Sequence, residues 1–301
     1  MPGTEKIRIV CISDTHNKAP GEGYTLPPTG GDILIHAGDL TNQGSVSEIQ
    51  KAVAWLSRQT AFSTKILIAG NHDLSLDPQY NPFKHASGWK VQPSAVEALE
   101  CRRLLTENDS FTYLQHTSQT IQVPSKGISL QVFGSPYSPD GGRQNWAFQC
   151  DIETEATRLW SEIPDDVDIV VSHTPAKGVC DASKHWSEGG CRGLLGEGLW
   201  RTRPLLHVCG HCHEGRGAKV VRWGEKEGEI EGVREWDDPG RGGKKQSVLD
   251  LTEGRKGMGL EGGRETAVVN ASVMAKSFGR GGMEFNKPIV VDLAVPRRQD
   301  R

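Results

Sequence analysis

Short apolar runs, rich in β-branched residues, keep ending in the same kind of loop along this chain. Residues 7–12 run into Asp14, Thr15 and His16; residues 32–36 into Gly38 and Asp39; residues 65–69 into Gly70, Asn71, His72 and Asp73. Later, residues 168–172 are followed at once by His173, and residues 205–209 by Gly210, His211, Cys212 and His213. Runs of this length and composition read as buried strands. If the strands are neighbours in one sheet, all five loops open on the same edge and their Asp, Asn and His side chains converge. That order constrains the fold more than any single residue does.

The segments between the strands supply helices. Residues 45–58 carry Val46, Ile49, Val53 and Leu56 at helical spacing, with Ser45 or Ser47 as the cap. Residues 93–105 read as a helix opening at Pro93, and 152–163 and 191–202 as two more. Residues 120–123 and 128–133 form an antiparallel pair, and 219–223, 267–271 and 289–293 complete the strands. Strand and helix alternate early and strands dominate later, which predicts an α/β fold with mixed sheets. With 301 residues, no internal repeat and no second core, one domain over 1–301 is expected, its core spanning about 7–295. From about 224 to 263, Gly, Glu, Lys and Arg dominate. So few apolar residues cannot offset the entropy of ordering the chain, so the expectation there is a mobile insertion between two strands.

Composition narrows the function. Hydrophobic content of 36% and charged content of 24% describe a water-soluble globular chain. A net charge of -3 gives no basic field for long nucleic acid, and Arg297, Arg298 and Arg301 read as a solvated tail. No apolar run approaches the roughly 20 residues of a membrane span. Residues 1–6 are too polar for a secretion signal. Seven scattered cysteines, an odd number, fit a reducing compartment better than a disulfide framework. The expected location is therefore cytoplasmic and the expected partner a small molecule, with protein partners left open.

Carboxylate, imidazole and carboxamide groups together suit divalent ions such as Mn, Fe, Zn or Co. Asp14 and His16, two residues apart in an extended loop, can reach one ion. Asp39 has two oxygens and can bridge two ions. Asn71 offers a neutral oxygen, His211 and His213 can divide between the ions, and His173 can complete the second. Most of these stretches alone are more often polar turns, and Gly70 to Asp73 reads equally well either way; five of them in workable order, each at the end of an apolar run, point to a binuclear centre.

These blocks resemble the calcineurin-like metallophosphoesterase superfamily at Asp14 and His16, Asp39, Asn71 and His72, His173, and His211 with His213. The likeness is strongest to small metallophosphoesterase-domain proteins related to cyclic-nucleotide phosphodiesterases, which share the block at Gly210–Gly215 and the later Asn270, Ala271, Ser272. The resemblance implies a four-layer sandwich of two mixed β-sheets flanked by helices. It implies one ion on Asp14, His16, Asp39 and His213, and another on Asp39, Asn71, His173 and His211. His72 would be the acid beside the phosphate, with Asp73 near it. Leu40, Thr41, Asn42 and Gln43 follow Asp39 where the protein-phosphatase branch has Asp-Arg-Gly, which argues against protein phosphatase activity.

Phosphoester hydrolysis needs an activated oxygen nucleophile and neutralised phosphoryl charge, and two ions lower the pKa of a bridging water and clamp the phosphate oxygens. Hydrolysis of a small phosphodiester, such as a cyclic nucleotide, is the expected reaction, with phosphomonoesters as the alternative. His185 and Trp186, in the loop after His173, are candidate substrate contacts. Two rivals use the cysteines. Cys209 to Cys212 spells C-x-x-C, but a redox motif needs a following helix. A zinc-binding interaction module on Cys191, Cys209, Cys212 and neighbouring histidines leaves Asp14, Asp39 and Asn71 unexplained.

Overall fold

Alternate side chains of the central strands go to opposite cores. A computed structural model describes residues 3–81, 93–141, 146–151, 154–184, 189–252, 257–276 and 283–296. Strand β1 (Thr4–Ile12) sends Ile7, Ile9 and Cys11 into one core and Val10 and Ile12 into another. Strands β2 (Gly31–Ala37) and β3 (Phe62–Ile68) divide the same way, with Ile33, Ile35, Ile66 and Ile68 on the first side and Leu34 and Leu67 on the second. Both faces are buried, so these strands read as unbroken apolar runs.

The remaining strands are β4 (Thr112–Tyr113), β5 (Thr117–Val123), β6 (Ile128–Ser135), β7 (Ser138–Pro139), β8 (Gln149–Cys150), β9 (Ile169–Ser172), β10 (Leu206–Cys209) and β11 (Gly217–Trp223). After them come β12 (Ile230–Glu235), β13 (Ser247–Leu251), β14 (Glu265–Asn270), β15 (Met274–Lys276), β16 (Glu284–Phe285) and β17 (Ile289–Pro296). Six form one sheet in the order β13-β17-β1-β2-β3-β4, and seven form a second in the order β12-β11-β14-β10-β9-β6-β5. In the first sheet β1, β2 and β3 run parallel while β17 lies antiparallel to β1. In the second, β6, β9, β10 and β14 run parallel between antiparallel edges.

Three cores separate four layers. One lies between the sheets. A second lies between the first sheet and helices α1 (Val46–Ser57) and α2 (Ala95–Thr106). The third lies between the second sheet and α3 (Ala156–Ser161) with the π-helical turn Leu194–Trp200. Ser45 caps α1 in a reciprocal box with Glu48, a device worth about 1 kcal/mol. No helix among the described residues is long and apolar enough to cross a membrane.

The two mixed sheets are those expected, and the five strands that precede the polar loops are divided between them: β1, β2 and β3 belong to the first, β9 and β10 to the second. Convergence therefore comes from two facing sheets whose parallel strands end at the same edge. The stretch 224–263, expected as a mobile insertion between two strands, contains two strands of its own among the described residues. It supplies β12, antiparallel to β11, and β13, parallel to β17. Backbone pairing carries β12, whose side chains stay half or fully exposed, and β13 needs only Leu249 and Leu251 to reach the inter-sheet core.

Candidate metal centre

The loops that leave the strands are bent by unusual backbone. Asp14, His16, Asp39 and His211 all have positive φ, at 53°, 42°, 55° and 63°. Each such residue costs roughly 1–3 kcal/mol and persists where the surroundings over-determine it, typically at functional sites. Backbone bonds hold the bends: Asp14 N–H donates to Gly38 O at 3.0 Å, His16 N–H to Asp39 O at 3.1 Å, and Gly210 N–H to His173 O at 3.0 Å. Glycine is required where the loops touch. A Cβ on Gly70 would strike the Asp39 carboxylate, and one on Gly210 would strike Asp14.

All seven predicted ligands come together. His213 Nε2 lies 3.4 Å from Asp14 Oδ1 and 3.4 Å from His16 Nε2. Asp39 faces two ways: Oδ2 lies 3.7 Å from His16 Nε2, and Oδ1 lies 3.4 Å from His173 Nε2. Asn71 Oδ1 sits between two rings, 2.9 Å from His173 Nε2 and 2.8 Å from His211 Nδ1. Asp14 with His16 and His213, Asp14 with Asp39 and His173, and His16 with Asp39 and His72 each offer donor atoms within 4.8 Å of one another. Among the described residues, no cysteine joins such a group.

Electrostatics favour cations here. Burial alone would raise the carboxyls of Asp14 and Asp39, yet the facing imidazoles hold both below the ordinary carboxylate range, His213 and His173 for Asp14 and chiefly His173 for Asp39. Burial opposes charge on His173, but Asp39 outweighs it and pushes that ring up to about 9. His213 is raised by Asp14 against the same opposition. Burial, with neighbouring rings, pushes His16 and His211 down to about 3. Without ions, then, two buried carboxylates draw protons onto two of the rings around them. Cations would occupy the place of those protons, and the mixed oxygen and nitrogen donors suit divalent transition ions.

Other groups hold the donors in place. His173 Nδ1–H donates to Ala37 O at 3.0 Å, leaving Nε2 as its donor atom toward the centre. Asn270, fully buried, donates from Nδ2 to Cys180 O at 2.9 Å and Cys212 O at 2.8 Å, pinning the loop that carries His211 and His213. Two buried histidines in strands also back the ligands. His36 Nε2 lies 3.0 Å from Thr15 Oγ1, between Asp14 and His16, and His207 Nε2 lies 2.7 Å from Ser172 Oγ, next to His173. Ser172 Oγ–H already donates to Thr174 O, so His207 donates to Ser172. Among the described residues, the Nδ1 atoms of both rings are buried without hydrogen-bond partners. His36 and His207 read as parts of apolar runs, and Asn270 had been noted only as part of a family block; nothing local in the sequence separates them from core residues.

His72 lies beside the ligands. Its backbone N–H donates to Asp39 Oδ1 at 2.8 Å and its Nδ1–H to Asn42 O at 2.7 Å. Its ring packs on Trp146, centroids 4.1 Å apart, and edge-on to His16 at 4.6 Å. Asn42 is itself held by the capping residue Glu48, which accepts from both its backbone N–H and its side-chain amide. Asp73 follows His72 in the same loop. Its carboxylate is fully buried and accepts from Gly70 N–H, Leu40 N–H, Thr41 N–H and Thr41 Oγ1–H, so it ties two loops together. Burial and the Asp39 charge push it up to about 7, against those bonds. The contact with the His72 ring places Trp146 at the centre's rim. His185 and Trp186 lie outside the described residues.

The cysteine rivals lose support. Only one 3-10 turn, His213–Gly215, follows Cys212 before β11 begins, so no helix lowers a thiol pKa there. Burial raises both Cys209 and Cys212, and Cys191 accepts from Trp160 Nε1 at 3.1 Å.

The family model described as calcineurin-like phosphoesterase matches residues 7–215 of this chain. Metallophosphoesterase domain-containing protein 1 of Homo sapiens is 34% identical over 298 residues, covering 96% of this chain and 72% of that protein. The protein named "Probable rhamnogalacturonate lyase C" of Emericella nidulans is 42% identical over 219 residues, 72% of this chain, and this chain spans only 18% of that protein's length.

Proposed function

The chain belongs to the calcineurin-like phosphoesterase family, and from that premise we propose that it hydrolyses small phosphodiesters, cyclic nucleotides among them, using two divalent ions. The observation that carries this reading is the Asp39 carboxylate, whose two oxygens face different ligand sets, His16 on one side and His173 on the other. Asp14, His16 and His213 would hold one ion with Asp39; Asn71, His173 and His211 would hold the second. Such ions, when bound, acidify water and neutralise charge on a phosphoryl group.

The chain's own groups complete the chemistry. A carbonyl only accepts, so the bond to Asn42 O keeps a hydrogen on His72 Nδ1 and fixes the ring's orientation. In its imidazolium form the ring also carries a hydrogen on Nε2, which it can give to the leaving oxygen of the ester, returning to the neutral Nδ1–H tautomer. Trp146 covers one face of that ring and limits its rotation. Asp39 accepts the His72 backbone N–H, so the acid and the proposed bridging carboxylate are held in one register.

The test is a panel of cyclic nucleotides, linear diesters and monoesters assayed with Mn, Fe, Zn, Ni and Mg. Diester turnover that exceeds monoester turnover supports the proposal. Turnover of monoesters alone would replace it with the phosphomonoesterase alternative.

A further inference from the structure

Beside His213 opens a cleft of about 450 Å³, within the size range of sites that enclose small organic ligands. Part of its lining comes from the segment between β12 and β13, with Trp236 and the glycine-rich turn at 240–243; Phe285 and Asn286 supply another part. The segment is held in shape by two cations. Arg216, three residues past His213, donates to Asp238 Oδ2 at 2.9 Å, Ser247 Oγ at 3.2 Å and Lys287 O at 2.8 Å. Lys287 Nζ donates to the carbonyls of Gly240 at 3.0 Å, Lys245 at 2.7 Å, and Gly243. Trp236 Nε1 donates to Val248 O at 3.2 Å, which fixes its ring.

Arg241 differs from these two. It is exposed at the cleft on the glycine-rich turn, and among the described residues its guanidinium makes no ion pair and no side-chain hydrogen bond. The carboxylates nearby are Asp238, held by Arg216, Glu214, 3.8 Å from Lys184, and the exposed Asp237.

We propose that this cleft takes the organic part of the substrate: a nucleoside-sized group whose planar base lies against Trp236 and Phe285, with Arg241 receiving a second phosphate. This rests on the phosphoesterase reading and narrows it to nucleotides that carry a phosphate besides the one cleaved. An aromatic wall offers stacking to any base, and a free guanidinium matches phosphate geometry in a way that a lysine does not.

The experiment compares three esters in the full chain loaded with Mn: bis(p-nitrophenyl) phosphate, adenosine 2′,3′-cyclic phosphate, and the same nucleotide bearing a 5′-phosphate. Variants are matched to the parent in metal content and unfolding temperature. In the parent, the 5′-phosphate lowers KM by roughly tenfold. Trp236→Ala raises KM for both nucleotides by roughly tenfold relative to the nitrophenyl ester. Arg241→Gln removes the advantage of the 5′-phosphate, and Arg241→Lys restores part of it. Equal KM for the two nucleotides in the parent, or variants that shift all three esters in parallel, overturns the cleft assignment and leaves the phosphoesterase reading standing. No hydrolysis of any ester overturns that reading, and the cleft assignment with it.

Discussion

Asp39 links the two ligand sets, because its two oxygens face different rings and both are buried. Asp39→Asn keeps the size and removes the charge, so both ions are expected to be lost together. Metal analysis after dialysis reads this directly, and a variant that keeps both ions would end the bridging role. His72 makes the opposite prediction. His72→Ala should keep metal and lose roughly 10²–10⁴ in diester turnover, the usual contribution of a placed acid; near-parent turnover would remove it from the mechanism. These residues were legible in the sequence because each stands within a few positions of a buried run, where the chain must leave the sheet. Asp73 was not. Four residues in a row, Gly70 to Asp73, do not say which side chain turns inward, and three of the four bonds that claim Asp73 come from Leu40 and Thr41, far along the chain.

The strands align the ligands, and a few side chains between strands hold that alignment. Asn270, at the end of β14, pins the loop after β10 through the carbonyls of Cys180 and Cys212. Asn270→Ala leaves the Cys180 carbonyl without a donor and removes one of the two donors to the Cys212 carbonyl, which keeps the Gly215 N–H, and about 1–3 kcal/mol of stability should be lost along with metal affinity. Denaturant unfolding with and without ions separates the two effects. His207→Leu should weaken metal binding by roughly 10–100-fold through Ser172 and His173, while His207→Gln, which keeps a donor, should recover part of it. Equal loss in both variants would make His207 a packing residue only. The strands themselves were readable, since a run buried on both faces has no alternation to hide. The strands inside 224–263 were not readable for the same reason in reverse: β12 is an edge strand with charged, half-exposed side chains, and it is held by backbone pairing to β11, which composition does not report.

Taken whole, the molecule is two sheets meeting at one polar edge, and its response to pH follows from the histidines there. His36 and His207 are held neutral by burial, down to about 4 and about 3 against an ordinary 6.5. The stability from keeping them neutral is present above about 6.5 and is lost as pH falls below it. His173 is raised to about 9, so its contribution in the ion-free protein is present below about 6.5 and is lost as pH rises through about 9. Ion-free protein should therefore unfold at its highest temperature near pH 6.5, and bound ions should abolish the decline on the alkaline side by displacing the His173 proton. A flat unfolding temperature from pH 6.5 to 9 after chelation would contradict this. The sequence by itself determined which residues stand at the ends of strands, because burial dictates composition locally. Only the tertiary structure decided that three of those strands lie in one sheet and two in another, that Asp73 turns inward, and that a Gly- and Lys-rich stretch lines a cleft beside His213. Each of those outcomes depends on hydrogen bonds between residues far apart in the chain, and no local pattern encodes them.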